Sequence, residues 1–265
     1  MKPLITTRIY PTDYFIKVFE TLDLWSAYIY NNVNFSFIKF GDGELFCMMG
    51  ANGQNCDQHP YSPGLKEKLL NAWNYFCNTP ANNIYVAEWG DQPGSFSTPQ
   101  YIAPRQNPNV PVFRFLQDLI SQSPNHNFNF VNYEIIMHNT VSEHKFNFFK
   151  AIKESSRKKI FVGPERLSGV CRFLNIQTHV KVPLINAFES FDTILTNTLN
   201  EVAENAIIIF SSSMPSKSMI HLIHERFPNI TCLDAGSSFD AIFVGGTREG
   251  QLEPGLLQIF YRDIL

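Results

Sequence analysis

The sequence contains no Cys-x-x-Cys pair. Its five cysteines, at positions 47, 56, 77, 171 and 232, are odd in number and widely spaced. Disulfide frameworks and structural zinc sites need paired or closely spaced cysteines. The sequence therefore predicts neither, and we expect reduced thiols that serve as packing residues.

Several nucleotide-binding and hydrolase motifs are also missing. There is no Gly-x-Gly-x-x-Gly, no phosphate loop ending in Gly-Lys-Ser/Thr and no Gly-x-Ser-x-Gly. These absences disfavour a dehydrogenase, an NTPase and a serine hydrolase. His221 and His224 share a helical face, but no Glu lies between them as in a metalloprotease helix, so we interpret both as structural residues.

The chain has little net charge and no long apolar segment. Its formal net charge is -3, whereas a surface that follows nucleic-acid phosphates normally has a basic excess, so we expect no nucleic-acid partner. No stretch reaches the apolar length that spans a bilayer, and the first residues lack the apolar run of a signal peptide. We therefore expect a soluble, cytoplasmic protein without a transmembrane segment.

What the sequence does contain is an alternation of apolar strand-like runs and helical patterns. The runs are Phe35 to Phe40, Ile84 to Glu88, Phe130 to Met137, Lys159 to Val162, Thr178 to Val182, Ala206 to Phe210 and Ile230 to Leu233. This alternation predicts an α/β fold, with a mostly parallel sheet, helices on both faces and right-handed crossovers. With 265 residues, 44% of them hydrophobic, we expect a single domain over residues 1–265.

Two helical patterns are the clearest. The first begins with a cap at Ser62 and a proline at Pro63, and its apolar stripe is Leu65, Leu69, Ala72, Trp73 and Phe76. The second carries Phe188, Phe191, Leu195, Leu199 and Val202. The polar, proline-rich stretch from Asp91 to Pro111 is a candidate lid or a plain surface loop.

The run Phe35 to Phe40 leads directly into Gly41-Asp42-Gly43-Glu44. Glycines on both sides of Asp42 let the backbone turn sharply and leave two carboxylates at the rim of the sheet, where open parallel sheets bind ligands. Nearby carboxylates repel each other, and a divalent cation such as magnesium or manganese neutralises them. The alternative is that Asp42 is a turn residue and that Glu44 lies in the first turn of a helix.

Other predicted strands also end in polar residues that should reach this rim. These ends are Glu88-Trp89-Gly90-Asp91, Gly163-Pro164-Glu165-Arg166 and Ser211-Ser212-Ser213 with Lys217 beyond. Serine hydroxyls and backbone N–H groups before a helix can bind an anion, with Lys217 as a compensating charge. The alternative is that these serines simply cap the helix.

Three ordered segments of the sequence match the motifs of a known family. Lys39-Phe40-Gly41-Asp42-Gly43-Glu44 resembles the Arg/Lys-Phe-Gly-Asp-Gly-Glu signature, with its Asp-x-Glu motif, of the GT-D fold glycosyltransferases. The segment Pro183-Leu184-Ile185-Asn186-Ala187-Phe188 is similar to the family's Pro-x-x-Asn-Ala-Phe, and Leu233 to Asp240 resembles its closing strand and turn. The segments span roughly Phe35 to Asp240. Lys39 stands where the family often has arginine, which keeps the charge but lacks the bidentate fork.

This resemblance implies a Rossmann-like domain and a UDP-sugar donor. It implies donor contacts from Lys39, Gly41, Asp42 and Gly43, and Mn²⁺ (or Mg²⁺) held by Asp42 and Glu44. A finer resemblance is to a viral GT-D xylosyltransferase, and the donors expected first are UDP-xylose and UDP-glucose. The acceptor is expected to be a hydroxyl of a glycan. We add Ser211, Ser212, Lys217 and Arg248 as candidate groups for the diphosphate. The alternative for Arg248 is that its segment is a structural tail.

Inverting transfer would also need a base for the acceptor hydroxyl. The candidates are Asp57, Glu88, Asp91 and Glu134, and we place Asp57 first and Glu88 second. Asp57 lies in the loop between the helix expected after the acidic motif and the capped helix that begins at Ser62, and Glu88 ends a strand. Each also has an ordinary interpretation as a solvated acid.

Two other functions remain open from the sequence. Leu233-Asp234-Ala235-Gly236 superficially resembles the turn that receives S-adenosylmethionine in methyltransferases, although it lies near the end of the chain. A non-catalytic nucleotide- or sugar-binding protein could stack sugars on aromatic residues such as Trp73, Tyr85, Trp89 and Tyr101, which are also ordinary core residues. Paired carboxylates at the rim favour an enzyme over a binding module.

Overall fold

The structure is a computed structural model. It describes residues 2–6, 12–51, 61–79, 83–88, 111–122, 129–131, 135–246 and 251–265. Asp57, Asp91, Glu134 and Arg248, which sequence analysis singled out, lie outside these ranges, as does the stretch from Asp91 to residue 110. Within the described ranges, no helix is both long and apolar enough to span a bilayer.

The described strands and helices alternate along most of the chain. The strands are β1 (Ile5–Thr6), β2 (Ser36–Phe40), β3 (Ile84–Glu88), β4 (Asn129–Phe130), β5 (Thr140–Val141), β6 (Lys159–Gly163), β7 (Thr178–Lys181), β8 (Ile207–Phe210) and β9 (Thr231–Asp234). The helices are α1 (Thr12–Tyr30), α2 (Asp42–Met49), α3 (Pro63–Asn78), α4 (Pro111–Ser121), α5 (Glu143–Glu154), α6 (Gly169–Phe173), α7 (Phe191–Glu201), α8 (Pro215–Arg226), α9 (Asp240–Phe243) and α10 (Pro254–Phe260). Short 3₁₀ turns form at Glu165–Leu167 and Ala187–Ser190.

Seven of the described strands form one sheet, in the order β4-β3-β2-β9-β8-β6-β7. Every pairing in it is parallel. The first strand of this sheet in the chain, β2, therefore lies beside the last one, β9. A separate antiparallel pair joins β1 to β5. The predicted α/β class with a mostly parallel sheet is confirmed.

The helices cover both faces of this sheet. Connections that cross the sheet toward β4 carry α2, α3, α7 and α8, and these helices pack in one core with Phe40, Trp73 and Phe210. Connections toward β7 carry α5 and α6, which pack in the opposite core with Trp25 and Phe149. This division between the faces is what right-handed crossovers require.

One predicted strand differs from expectation in the described residues. In the run Phe130 to Met137, Phe130 belongs to β4, which pairs with β3 through Asn129 and Phe130. Residues 135–139 form turns instead, although Ile135 and Ile136 are buried. An apolar run shows that a segment is buried, but it does not show that its backbone joins a ladder. The other predicted strands form within one or two residues of their expected ends.

The capped helix is as predicted. The Ser62 hydroxyl accepts a hydrogen bond from the Leu65 N–H at 3.1 Å, and Pro63 occupies the first helical position of α3. The expected apolar stripe is buried. The second predicted helix is divided, because Phe188 lies in a 3₁₀ turn and α7 begins only at Phe191.

Candidate functional site

The candidate site lies at the carboxyl ends of β2, β9 and β8, which are neighbours in the sheet. There the chain passes from β2 through Gly41 directly into α2, whose first residue is Asp42. Gly41 is extended, with φ -88° and ψ -173°, and Gly43 lies within the helix. The predicted sharp turn on flexible glycines is therefore wrong in its geometry. The acidic motif forms the first turn of a helix, as the alternative interpretation expected for Glu44.

Asp42 is half-buried at the amino terminus of α2. Its Oδ1 accepts a hydrogen bond from the Gly43 N–H at 2.9 Å. The positive end of the helix dipole favours a carboxylate at this position. An anionic oxygen that reaches the carboxyl rim of the sheet can bind a cation or a polar ligand group.

Glu44 is buried and has partners on both of its oxygens. Its Oε2 accepts the Gly41 N–H at 2.8 Å, and its Oε1 lies 2.7 Å from the Lys217 Nζ. Burial acts to raise the pKa of Glu44, but the Lys217 charge and the hydrogen bonds outweigh it, so the pKa is lowered. Glu44 is therefore an ionised carboxylate held inside the protein.

Lys217 also contacts a second buried acid, Asp234. The Lys217 Nζ lies 3.0 Å from the Asp234 Oδ2, which also accepts the backbone N–H of Lys39 at 3.2 Å. The same ammonium donates to the Ser213 carbonyl and the Ser216 hydroxyl, each at 3.2 Å. We call Glu44, Lys217 and Asp234 the buried charge triad.

Sequence analysis did not select Asp234 as a site residue. It ends β9 and is fully buried, and its Oδ1 has no hydrogen-bond partner among the residues that the structure describes. Asp234 ends a strand, as the candidate Glu88 does. This position at a strand end is the sequence signal that could have identified Asp234 as a site residue. Only the strand order, which puts β9 beside β2, shows that Asp234 belongs with the acidic motif.

The Lys39 side chain lies on the opposite face of the sheet from the triad. Its buried Nζ lies 3.4 Å from the Ala235 carbonyl oxygen and 3.7 Å from the Met137 sulfur. Gly236 passes so close that a Cβ atom there would come within 2.7 Å of this Nζ. Lys39 thus packs under the turn that follows β9, and its role in donor binding stays a prediction.

Ser211 and Ser212 follow β8 and are buried. Their hydroxyls have no hydrogen-bond partner within the described part of the chain. They do not cap α8, because the N-cap residue is Met214 and it makes no side-chain cap bond. The alternative interpretation of these two serines as helix caps is therefore wrong, and their contact with a donor remains a prediction.

Metal binding by this motif can be tested against its geometry. The described residues contain no group of three or more His, Cys, Asp or Glu side chains that could hold a metal ion. Both Glu44 oxygens have protein partners. Asp42 is half-buried at the rim. Magnesium and manganese often bind through one or two carboxylates together with substrate phosphates. Asp42 fits that pattern, and the predicted metal site at Asp42 and Glu44 stays a prediction.

Among the candidate bases, Glu88 alone has its backbone within the described residues. It ends β3 and pairs in register with Phe40, the last residue of β2. The backbone of Glu88 therefore lies at the same rim as the acidic motif. The roles of Glu88 and Asp57 as bases stay predictions.

A further ion pair lies at the rim beyond β9. The Arg166 Nη2 is 3.4 Å from the Asp240 Oδ2, and the Asp240 side chain is buried whereas Arg166 is about one third exposed. Arg166 follows β6 in a polar strand end that the sequence had indicated, but its pairing with Asp240 was not expected. It places a cationic group at the same edge of the sheet.

Comparison with known proteins identifies the class of fold. No family model matches the chain, and no curated protein sequence matches it. A solved structure described as "The highly conserved domain of unknown function 1792 has a distinct glycosyltransferase fold" is similar, with a TM-score of 0.54 and 18% identity over 90% of this chain and 88% of that chain. The chain therefore adopts this glycosyltransferase fold, as the resemblance to GT-D enzymes implied.

A second solved structure agrees. It is the selenomethionine-substituted structure of a domain of unknown function 1792, with a TM-score of 0.53 and 19% identity over 89% of this chain and 88% of that chain. At such identities the likeness concerns the fold. What the site does has to be argued from its own residues.

Proposed function

We propose that this protein is a metal-dependent glycosyltransferase that moves a sugar from a UDP-sugar to a hydroxyl of a glycan, with inversion. The observation that carries this proposal is the position of Asp42. A half-buried carboxylate begins a helix at the carboxyl rim of a parallel sheet, in a chain with a glycosyltransferase fold. Open α/β sheets bind their ligands at this rim.

The charges at the site agree with a diphosphate leaving group. When glycosyl transfer begins, the diphosphate gains negative charge, and a divalent ion bound there would stabilise it. Asp42 is the residue that would hold the ion, together with the phosphate oxygens. Glu44 would hold the first turn of α2 through the Gly41 N–H and Lys217. Ser211 and Ser212 supply hydroxyls near the end of β8 for the donor.

The acceptor hydroxyl must lose its proton to a base on the opposite side of the sugar when the configuration inverts. We propose Asp57 for this role, with Glu88 as the second candidate. The register of Glu88 with Phe40 supports the second candidate, because it brings its backbone to the rim. Arg248 is proposed to contact the diphosphate. UDP-xylose and UDP-glucose are the donors that we propose first.

The cysteines support a cytoplasmic location as part of this proposal. Among the cysteines that the structure describes, those at positions 47, 77, 171 and 232, none forms a disulfide. Reduced thiols are the usual state in a reducing compartment.

The proposal is tested by ligand-dependent stability and by hydrolysis. A ligand of the native state raises its thermal stability by mass action. We expect UDP to raise the melting temperature when manganese is present, and S-adenosylmethionine to have no effect. The stabilising UDP-sugar should also be hydrolysed slowly in a manganese-dependent screen. Stabilisation by S-adenosylmethionine but not by UDP would instead support the methyltransferase alternative.

The residue test is Asp42→Asn, which keeps the shape of the side chain but removes its charge. We expect manganese-dependent UDP binding to weaken by at least about tenfold, as for the loss of a metal-site residue. The matched control is Asp192→Asn, because Asp192 is an exposed acid in the first turn of α7. Equal UDP affinity in the Asp42→Asn variant and the wild type would refute the assignment of Asp42.

A further inference from the structure

The buried charge triad connects segments that are far apart in the chain. Glu44 belongs to the first turn of α2, Lys217 to the first turn of α8, and Asp234 to the end of β9. Its two ion pairs measure 2.7 and 3.0 Å, and the three side chains are at most 5% exposed. The triad therefore lies beneath the acidic motif and forms its internal support.

Asp234 is the residue that joins the triad to β2. Its Oδ2 receives both the Lys217 ammonium and the backbone N–H of Lys39, two residues before Gly41. Lys217 in turn holds the Glu44 Oε1, while the Glu44 Oε2 binds the Gly41 N–H. The backbone on both sides of the strand-to-helix junction is thus fixed by one connected set of bonds.

Stability alone is a poor explanation for this arrangement. Burying charges carries a desolvation penalty, and replacing a buried ion pair by packed apolar residues is often neutral or stabilising. The triad also leaves the buried Asp234 Oδ1 without a hydrogen-bond partner among the described residues, which adds to the penalty. What such a set of bonds does supply is a fixed geometry, and here it fixes the turn that carries Asp42.

We propose that Asp234 is a positioning residue that acts through Lys217 and Glu44 to hold the first turn of α2, and with it Asp42, in its binding geometry. Lys217 then serves the site as an internal bridge, whereas sequence analysis had assigned it to the donor. The part of this inference that concerns UDP rests on the proposed function. The part that concerns the geometry of α2 does not.

The first experiment is amide hydrogen exchange in the Asp234→Asn variant. This change keeps the shape of the side chain and removes the charge that orients Lys217. We expect the amides of residues 43–49 to exchange at least about tenfold faster than in the wild type, because α2 opens locally, while the protected amides of α5 keep their rate. A rise of the same size in both helices would show a general loss of stability and overturn the proposal, as would unchanged exchange in both.

The matched control is Thr231→Val at the other end of the same strand. Thr231 is also fully buried, and its hydroxyl accepts a hydrogen bond from the Arg157 Nη2 at 2.8 Å. This variant loses a buried polar interaction of β9 away from the acidic motif. We expect the exchange of residues 43–49 relative to α5 to match that of the wild type. A selective rise in α2 here as well would contradict a specific role for Asp234.

A second variant keeps the test valid if Asp234→Asn does not fold. The triple change Glu44→Gln, Lys217→Met and Asp234→Asn removes all three charges, so no buried charge is left unpaired. We expect this variant to fold. We also expect the amides of α2, compared with those of α5, still to exchange faster than in the wild type. Wild-type exchange rates in α2 of the folded triple variant would overturn the proposal.

Titration of UDP with manganese tests the link to function. We expect Asp234→Asn to weaken the affinity about 10- to 100-fold, the range seen when a residue that supports a metal ligand is lost, and Thr231→Val to leave it unchanged. If the wild type does not bind UDP, the proposed function fails and the exchange result still decides the positioning role. If the wild type binds and Asp234→Asn binds equally well, the positioning role fails and the proposed function stands.

Discussion

Gly236 is the residue that brings the turn after β9 close to Lys39. Its φ is +52°, in the left-handed region that residues with a side chain rarely adopt, and a Cβ atom there would lie 2.7 Å from the Lys39 Nζ. We expect Gly236→Ala to lower the free energy of unfolding by about 1–3 kcal/mol, the range for a strained residue of this kind. Urea unfolding measures this change.

Gly255 provides the comparison for Gly236→Ala. It lies in α10, and a Cβ atom there would meet nothing within 4 Å. Alanine is the better helix former, so Gly255→Ala should leave the stability unchanged or raise it by up to about 1 kcal/mol. Equal effects of the two substitutions would show that neither backbone strain nor the contact with Lys39 matters at position 236.

His138 is a buried residue whose charge state should affect stability. Its ring lies near Phe149 and Tyr261, and neither ring nitrogen has a hydrogen-bond partner in the described part of the chain. Burial, and then the nearby charge of Lys145, hold the pKa of His138 well below its usual value. The folded protein therefore keeps this ring neutral under conditions that protonate it in the unfolded chain.

The sign of the pH effect follows from that lowered pKa. The contribution of His138 to stability is complete above about pH 6.5 and is lost as the pH falls below it, because the unfolded chain then takes up the proton. As the pH falls, the His138→Leu variant should lose less stability than the wild type, by up to about 1.4 kcal/mol per pH unit. His221 and His224, whose pKa values are also lowered, remain in both proteins. Denaturant unfolding from pH 7.5 to 5.5 measures the loss of stability in both proteins. An equal loss in the wild type and in His138→Leu would contradict the prediction.

At the scale of single elements, local signals predicted much of the structure. The cap at Ser62, the proline at Pro63 and the apolar stripe are properties of neighbouring residues, so the sequence alone was enough to predict α3. The acidic motif was harder. Gly-Asp-Gly is typical of turns, and the Gly41–Glu44 hydrogen bond that starts α2 at Asp42 becomes evident only in the folded chain.

The run Phe130 to Met137 shows the limit of periodicity. Ile135 and Ile136 are buried in the same core as Trp25 and Phe149, and this burial accounts for their apolar character. Residues 135–139 nevertheless form turns. Hydrophobicity reports the surroundings of a side chain, whereas a strand also needs a partner for its backbone, and local sequence does not specify that partner.

At the scale of the whole molecule, the alternation of elements predicted the fold class but not the order of the strands. Parallel strands share one rim for their carboxyl ends, so the sequence could indicate Asp42, Ser211 and Lys217 as rim residues. It could not show that β9 lies between β2 and β8. That order brings Asp234 to Lys217, an ion pair that the sequence could not indicate. Contact of Lys217 with a donor stays a prediction.

The strand order also produces a structural site at the opposite, amino-terminal end of the sheet. Arg157 lies there, where its Nε donates to the Asn205 carbonyl at 2.6 Å and its Nη2 to the Thr231 hydroxyl at 2.8 Å. The same nitrogen donates to the Asn34 side chain before β2 and to the Ala206 carbonyl before β8. Burial lowers the pKa of Arg157 to about 10. One side chain thus ties together the beginnings of β2, β8 and β9.

Arg157→Met should therefore separate the stability of the sheet from the proposed UDP binding at its rim. Unsatisfied buried carbonyls cost about 1–3 kcal/mol each, so we expect the free energy of unfolding to fall by about 2–4 kcal/mol. The length of β2, about 15 Å, separates this end from Asp42, and sites that far apart act almost independently. Urea unfolding and UDP titration with manganese should then show lower stability with unchanged affinity. Weaker UDP binding at unchanged stability would contradict this separation of the two ends.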